Sequence, residues 1–133
     1  MNTQINGLIQ QFGLNRVVKD ILKYARNSIR LYTGKVEEDN IPLGNTKIGG
    51  WPDVPNSFEW PRYHDRMLSF IAQINLNEIA DFDTEKILPA SGILYFFYDC
   101  EQKTWGFDPD DKGSWRVIYY EGDSDILKRK ETP

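Results

Sequence analysis

Apolar residues recur at helical spacing along the first part of the chain. From Thr3 onward they lie three or four residues apart, and Gly13 follows as a residue that can end a helix. The apolar positions of this segment are Ile5, Leu8, Ile9 and Phe12. A second segment begins at Asn15, a suitable cap, and continues to about Asn27. Its apolar face consists of Val18, Ile21, Leu22 and Ala25, and Ile29 continues the same face. The pattern predicts an N-terminal helical hairpin over residues 3–27.

Strand patterns dominate the later part of the chain. From Leu68 to Leu76 apolar and polar residues alternate, which predicts a half-buried strand. Its apolar face would carry Phe70, Ala72 and Ile74, and its solvated face would carry Gln73 and Asn75. The unbroken apolar run from Ile93 to Tyr98 predicts a central strand, and Trp115 to Glu121 predicts a third strand. We expect these strands to pair as an antiparallel meander.

The segments between these elements are less regular. Ser28 to Thr33 reads as a strand by its alternation and its β-branched and aromatic content, although it could also extend the second helix. Gly34 to Pro61 holds most of the prolines and predicts a long ordered loop, with a short strand at Thr46 to Ile48. Asn77 to Phe82 predicts one helical turn. The tail over residues 124–133 begins a further short element and then ends.

These elements predict an α+β fold in which the N-terminal helical hairpin packs on a mainly antiparallel β-sheet. The hairpin is expected to cover the sheet face that carries Phe70, Ala72 and Ile74. A chain of 133 residues is close to the commonest domain size, so we expect one domain over residues 1–133, with its β-rich part at 28–123. The content of 40% hydrophobic and 14% aromatic residues is typical of a globular protein with an aromatic core.

Charge and cysteine content restrict the class of protein. The formal net charge of −4 disfavours a general binder of nucleic acid or of anionic membranes. No stretch approaches the roughly 18 apolar residues of a membrane span, and the first residues lack the basic start of a leader peptide. Cys100 is the single cysteine, which suits a reducing compartment. We therefore expect a cytoplasmic protein without a membrane association.

Several short motifs occur along the chain in one order. They are Lys47-Ile-Gly-Gly-Trp-Pro-Asp-Val-Pro55, Trp60-Pro61, Leu68-Ser-Phe-Ile-Ala-Gln-Ile-Asn-Leu76, Leu88-Pro-Ala-Ser-Gly-Ile-Leu-Tyr-Phe-Phe97 and Arg116-Val-Ile-Tyr119. In these motifs the chain resembles the YwqG-like family, a bacterial family that is catalogued as a domain of unknown function. The resemblance extends from about Ser28 to Asp123. It implies an α+β fold and brings no catalytic residue, cofactor or substrate. Members of that family carry a second β-rich half, so the chain resembles their N-terminal half only.

A candidate ligand or partner surface combines the proline-rich loop with the polar face of the predicted strand. Proline rigidity lowers the entropic cost of presenting a tryptophan, so Trp51 and Trp60 could stack on a ligand. The polar side chains that could complete the surface are His64, Gln73 and Asn75. In the alternative, the tryptophans are core residues, Gln73 and Asn75 are solvated, and His64 is an ordinary surface histidine.

Five basic residues recur at three- and four-residue steps in and after the second predicted helix. They are Arg16, Lys19, Lys23, Arg26 and Arg30. On one continuous helix this spacing aligns them in a stripe, which could bind an acidic partner protein or a phosphate backbone. A solvated helix face whose charges are balanced by acidic loop residues is the alternative, and it is the more common arrangement.

No motif for catalysis or metal binding is complete. Asp108, Asp110 and Asp111 resemble the start of a calcium loop, but Lys112 and Tyr119 occupy two of the later ligand positions. The acidic neighbours of Cys100 disfavour a reactive thiolate, and a lone histidine provides no zinc site. We expect neither a cofactor nor a metal ion, and the sequence leans against an enzyme without deciding the question.

The leading hypothesis is a cytoplasmic binding or protein-interaction module, of an accessory or immunity type that masks another protein. Two alternatives stay open. One is a ligand-processing or hydrolase-like enzyme with a pocket between the Pro/Trp loop and the polar sheet face, and the other is nucleic-acid binding through the basic stripe. Because Ile93 to Tyr98 is apolar on both faces, we also expect a second copy of the chain to cover the sheet in a homodimer. In the alternative, the loop Gly49 to Pro61 folds over the sheet and leaves a monomer.

Overall fold

The computed structural model of the chain describes residues 3–133. These residues belong to two compact units, one ending at Leu31 and one running from Tyr32 to Pro133. The first unit is helical, and the second holds every β-strand of the described chain. Among residues 3–133, no helix has both the length and the apolarity to cross a membrane. The single domain over residues 1–133 stays a prediction, as does the packing of the hairpin on the sheet.

The first unit contains two short helices joined by a tight turn. The helices are α1 (Thr3–Gln11) and α2 (Val18–Tyr24), and a 3-10 turn (Asn15–Val17) directly precedes α2. α1 buries Ile9, one of the apolar positions that predicted it. α2 ends earlier than the predicted boundary at Asn27, because Ala25 already adopts an extended backbone with φ −62° and ψ 131°. The two helices are confirmed in type and order.

Residues 28–33, for which the sequence favoured a strand or a longer helix, form neither element. A strand is stable only when its backbone groups pair with a neighbour. The strand pairings of the described chain involve β-strands that begin at Lys47 and later, so this segment has no ladder partner. The prediction of regular structure here was wrong.

The second unit contains eight short strands and one short α-helix. The strands are β1 (Lys47–Ile48), β2 (Asp53–Val54), β3 (Arg62–Tyr63), β4 (Arg66–Met67), β5 (Ser69–Asn75), β6 (Ile93–Tyr98), β7 (Trp115–Tyr120) and β8 (Lys128–Arg129). The helix α3 (Leu76–Ile79) follows β5 directly and continues into a 3-10 turn (Ala80–Phe82), as the sequence predicted. The short strand β1 likewise lies where the sequence placed one.

The main sheet has four antiparallel strands in the order β1-β5-β6-β7. This order confirms the α+β class and the meander of the three strands predicted from alternation. Two further ribbons accompany the sheet, one of β3 with β4 and one of β2 with β8. The second ribbon joins residues near position 53 to the tail, because Asp53 pairs with Arg129 and Val54 pairs with Lys128. The tail therefore completes a long-range strand pair.

A β-bulge in β5 changes which side chains face the core. The register pairs on either side of it are Phe70 with Phe97, Ala72 with Phe96 and Gln73 with Tyr95. The extra residue, Ile71, shifts the alternation of side chains by one position. Phe70 and Gln73 therefore share the core face, whereas Ala72 lies on the opposite face. The predicted common face for Phe70 and Ala72 was wrong, and so was the solvated position predicted for Gln73.

The core face of the sheet is covered by the loop that precedes β5 and by the tail. The buried residues that project from β6 to this face are Ile93, Tyr95 and Phe97. Val54, Trp60 and Leu127 pack against them. The Trp60 indole N–H donates to the Leu68 carbonyl at 2.7 Å, and its ring meets the Phe97 ring edge-on with centroids 5.4 Å apart. The loop thus folds over one face of the sheet. This face therefore needs no second copy of the chain to bury it, so it gives no support to the expected homodimer.

Candidate functional site

Asp53 of β2 has no exposed surface, and its carboxylate accepts hydrogen bonds from four residues. The donors are the Gly44 amide at 3.0 Å, Lys47 Nζ at 3.2 Å, Gln73 Nε2 at 2.9 Å and Arg129 Nε at 2.9 Å. The Asp53 backbone is fixed as well, because its N–H donates to Gln73 Oε1 at 2.8 Å and its carbonyl accepts from the Tyr95 hydroxyl at 2.6 Å. A buried carboxylate is tolerated when it is paired and hydrogen-bonded in this way.

Glu38, from the loop before β1, completes the charge balance around Asp53. Its carboxylate accepts from Lys47 Nζ at 3.2 Å and from the Trp51 amide at 2.7 Å. Its carbonyl accepts from Arg129 Nη1 at 2.7 Å. Two cations and two anions thus meet in one place, and no net charge is buried. We call Glu38, Lys47, Asp53 and Arg129 the buried charge cluster.

The surroundings of the cluster shift the pKa of two groups in opposite directions. Burial by itself raises the pKa of the Asp53 carboxyl, but the hydrogen bonds from Arg129, Gly44 and Gln73 and the charge of Lys47 outweigh it, so this pKa lies below its usual value. The pKa of the Tyr95 hydroxyl is raised, first by burial and then by the nearby charge of Asp53. At neutral pH the carboxylate is therefore ionised and the tyrosine is neutral.

The buried charge cluster acts as a structural brace. A general acid or base must come within hydrogen-bonding reach of a substrate, and Asp53 is closed off from solvent by the residues that bond it. Its contacts connect β2 with β1, β5 and β8, and the Arg129 Nη2 contact with the Ile41 carbonyl at 2.9 Å adds the loop before β1. The cluster thus fixes the tail and the long loop against the sheet.

The five residues proposed as a ligand surface lie in different environments. Trp60 is 8% exposed and Gln73 is 0% exposed, so both are core residues. The Asn75 amide donates to the Gly44 carbonyl at 2.9 Å, and its Oδ1 caps α3 by accepting from the Asn77 amide. His64 is exposed in the turn between β3 and β4 with its ring 4.1 Å from that of Tyr63, and Trp51 is 39% exposed.

The five residues proposed as a basic stripe do not share one helix. Their positions are the 3-10 turn for Arg16, α2 for Lys19 and Lys23, and the segment after α2 for Arg26 and Arg30. The Arg26 guanidinium donates at 2.8 Å to the carbonyls of Lys23 and Ala25, so it caps the last turn of α2. The early end of α2 therefore interrupts the spacing on which the stripe depended.

A cleft of about 370 Å³ lies where β5 and β7 end and β6 begins. Its apolar lining includes the buried residues Ile93 and Leu127. Its polar lining includes Asn45, Asn75, Asn77, Ser91, Glu121 and Ser124. This volume is at the lower end of the roughly 300–1,000 Å³ that small-molecule clefts have. Amides and hydroxyls with a single carboxylate suit a small uncharged ligand better than an anion.

β7 is an edge strand of the main sheet, with β6 as its neighbour. The Asp99 N–H donates to the Ser114 carbonyl at 2.8 Å, in the register that continues the β6–β7 ladder. In an antiparallel ladder, residues that bond the neighbouring strand alternate with residues whose backbone groups point away. The residues that bond β6 are therefore Arg116, Ile118 and Tyr120. The backbone N–H and C=O groups that point to the outer edge belong to Trp115, Val117 and Tyr119.

The side chains of these outward-facing residues form an apolar row. Trp115 is 53% exposed, Val117 is 47% exposed and Tyr119 is 40% exposed. They project from the face opposite the core, since Ile118 and Tyr120 pack against the core. Two more exposed aromatic residues, Trp105 and Phe107, lie in the loop before β7. We call the outer side of Trp115, Val117 and Tyr119 the β7 edge.

Neither the buried charge cluster nor the β7 edge was found from the sequence. Asp53 lies between Pro52 and Val54 in an apolar stretch, which is a weak signal for a buried ion pair. Its partner Arg129 is 76 positions away, so spacing could not identify the pair. The β7 edge depends on strand order, which is a tertiary property.

The second unit is an antiparallel α+β domain whose sheet is braced by buried charges. A family model with the description "Domain of unknown function (DUF1963)" matches residues 46–131, a span that contains all eight strands. The match covers more than half of the 133 residues, and the chain belongs to the DUF1963 family. A comparison with curated proteins found no match.

Proposed function

We propose that this protein is a binding module that docks an extended segment of a partner protein along the β7 edge and performs no chemistry of its own. The observation that carries the proposal is the free edge itself. Within residues 3–133 no strand pairs with the outer edge of β7, so the alternate residues Trp115, Val117 and Tyr119 direct backbone groups outward and carry exposed side chains on the same strand. An added strand would gain affinity from main-chain hydrogen bonds and specificity from those side chains.

The composition of β7 supports this use of its edge. Proteins usually protect an exposed edge with proline, lysine, an inward charge or a very short strand. β7 is six residues long and contains neither proline nor lysine. Its single charged residue, Arg116, bonds β6 through its backbone and projects from the core side of the sheet. Arg116 is therefore the one residue of the strand whose charge opposes an added strand, and its side chain lies on the core side and not in the exposed row.

Three further parts of the proposal concern the location of the protein in the cell, its place within its family and its role. We place the protein in the cytoplasm, since Cys100 is an exposed lone thiol that a reducing compartment would preserve. We also assign it to the YwqG-like bacterial members of its family, on the motifs between Lys47 and Tyr119. Its role there would be that of an accessory or immunity-type protein that masks another protein.

Amide hydrogen exchange followed by NMR tests the proposal. In dilute protein, the amides of Trp115, Val117 and Tyr119 should exchange fast, while those of Arg116, Ile118 and Tyr120 should be protected by β6. A synthetic peptide of alternating threonine and valine, at millimolar concentration, should protect the first set. Val117→Pro should abolish this protection, because it removes one outward N–H and leaves the β6 ladder intact. Val117→Ala is the matched control and should retain it. If the peptide fails to protect the amides of Trp115, Val117 and Tyr119 in the native protein, the proposal is refuted.

A second candidate function is the binding of a small uncharged molecule in the cleft. The observation that favours it is the lining by Asn45, Asn77, Ser91 and Ser124, whose amides and hydroxyls can bond hydroxyl or amide groups of a ligand. Titration with glucose and with N-acetylglucosamine should shift the NMR signals of these side chains. Unchanged signals at millimolar sugar would exclude this function for both probes.

A further inference from the structure

We infer that the partner at the β7 edge is a second copy of this chain, paired antiparallel about a two-fold axis at Val117. This inference rests on the proposed docking at the same edge. A two-fold axis requires that one surface be complementary to itself. The β7 edge meets this requirement because its outward-facing residues are symmetric about Val117, with one aromatic residue on each side.

The backbone selects one register. Outward-facing residues bond only with outward-facing residues of the added strand, because the others already bond β6. When Val117 faces Val117 of the second copy, Trp115 faces Tyr119 of the second copy, and the reverse pair forms as well. All three outward-facing residues of each copy are then used. A shift of the axis by one or two positions moves at least one of these residues past the end of the strand. The Val117 register therefore forms the most hydrogen bonds.

The side chains agree with this register. The hydroxyl of Tyr119 donates to the Ser91 carbonyl of its own chain at 3.0 Å, so only the exposed part of its ring could meet the indole of Trp115 from the second copy across the strands. Val117 would meet its own equivalent at the centre. The two exposed apolar rows would thereby join into one row that spans both sheets, with part of their 40–53% exposure removed. The resulting contact continues both sheets across the edge.

Charge opposes the dimer to a limited extent. Each copy has a formal net charge of −4, and the two Arg116 side chains would be diagonal neighbours on the core side. Diagonal neighbours in a sheet are about 7–8 Å apart, within the roughly 8 Å Debye length at physiological ionic strength. Salt screens both kinds of repulsion. The dimer should therefore become tighter as sodium chloride is added, in contrast to an assembly held by ion pairs.

Cysteine cross-linking tests the register directly. In a Cys100→Ser background, Val117→Cys should form a disulfide-linked dimer on mild oxidation, because the two Cα atoms would be about 5.5 Å apart. Trp115→Cys alone should not, since its two copies would be separated by four residues, or about 14 Å. A mixture of Trp115→Cys and Tyr119→Cys proteins should cross-link to each other. Cross-linking of Trp115→Cys alone in preference to Val117→Cys would overturn the inferred register.

Sedimentation equilibrium provides the second measurement, without a cysteine. The native chain should pass from 15.5 kDa to twice that mass as concentration rises, and Val117→Pro should remain at 15.5 kDa. A native chain that stays at 15.5 kDa at every concentration would overturn the inference. If the threonine-valine peptide still protects the β7 edge in that case, only the identity of the partner is refuted. If the peptide gives no protection either, the proposed function fails together with the inference.

Discussion

Gln73 and Asp53 bond each other in both directions. The Asp53 N–H donates to Gln73 Oε1 at 2.8 Å, and Gln73 Nε2 donates to Asp53 Oδ2 at 2.9 Å. The same Nε2 also donates to the Asn45 carbonyl at 2.8 Å. A residue whose position in the alternating pattern indicated a solvated face is thus an internal linker between β2, β5 and the loop before β1. The bulge at Ile71 places it there.

Gln73→Ala should strongly destabilise the fold. The substitution leaves the Asp53 N–H and the Asn45 carbonyl without this partner, and a buried polar group that loses its partner costs about 1–3 kcal/mol. We expect a decrease of at least about 2 kcal/mol in the free energy of unfolding, measured with urea. Gln10→Ala, at an exposed position of α1, is the control and should change it by less than about 0.5 kcal/mol. Equal effects of the two substitutions would contradict the internal role of Gln73.

Asp53 should make the fold sensitive to acid. The pKa of its carboxyl in the folded state lies below the reference value of 3.8, so the unfolded chain takes up the proton first as pH falls. The resulting stabilisation is complete well above pH 3.8 and is lost as pH falls below that value toward the folded pKa.

Urea unfolding at a series of acidic pH values checks this expectation. Below about pH 4, the free energy of unfolding should fall more steeply for the native chain than for Asp53→Asn, which cannot titrate at this position. The NMR signal of the Gln73 side-chain amide gives a second readout in the native protein, because this amide bonds the carboxylate. Parallel curves for the two proteins, together with an amide signal that titrates above pH 4, would disprove the assignment.

Arg129 should make a large contribution to the stability that the tail provides. Arg129→Ala removes the fork that bonds Asp53 and the carbonyls of Glu38 and Ile41. The expected cost is about 3 kcal/mol, the lower end of the range for breaking a buried ion pair, because the Arg129 side chain is 19% exposed. The neighbouring Lys128→Ala, at an exposed position of β8, should cost less than about 0.5 kcal/mol. Thermal or urea unfolding of the two variants provides the comparison. Equal losses would mean that the hydrogen bonds of the Arg129 guanidinium have no specific role in holding β8.

Trp60 and Trp51, which the sequence grouped in one surface, should respond differently to the same change. Trp60→Phe removes the indole hydrogen bond to the Leu68 carbonyl and leaves a gap in the core, for an expected loss of about 1–3 kcal/mol. Trp51→Phe at a 39% exposed position should lose less than about 0.5 kcal/mol. Unfolding in urea, followed by circular dichroism, provides the comparison. A larger loss for Trp51→Phe would mean that the core is wrongly assigned.

The local patterns of the chain were informative where an element depends on its own residues. Ile93 to Tyr98 and Trp115 to Tyr120 are strands in the structure because their β-branched and aromatic residues suit a pleated ladder. α1 follows from its apolar spacing, and the turn at Leu76–Ile79 begins where Asn75 can cap it. The antiparallel order of the main strands also followed from their sequence order.

Local patterns were misleading where an element or a candidate site depends on its neighbours in space. Residues 28–33 alternate as well as a true strand does, yet they lack a partner strand. The basic residues at 26 and 30 continue a helical spacing beyond the point at which α2 ends. In both cases the pattern describes what the segment could form, and the neighbours in space determine what it does form.

The sequence by itself determined the α+β class, the principal strands and the aromatic character of the core, because these follow from local propensity and periodicity. Only the tertiary structure decided the burial of Gln73, the charge balance around Asp53 and the free edge of β7. A one-residue bulge reverses the facing of a strand, and a salt bridge between positions 53 and 129 requires the whole sheet to bring them together. Whether a strand lies at an edge depends on the order of the strands in the sheet, and the local sequence of the strand does not specify that order.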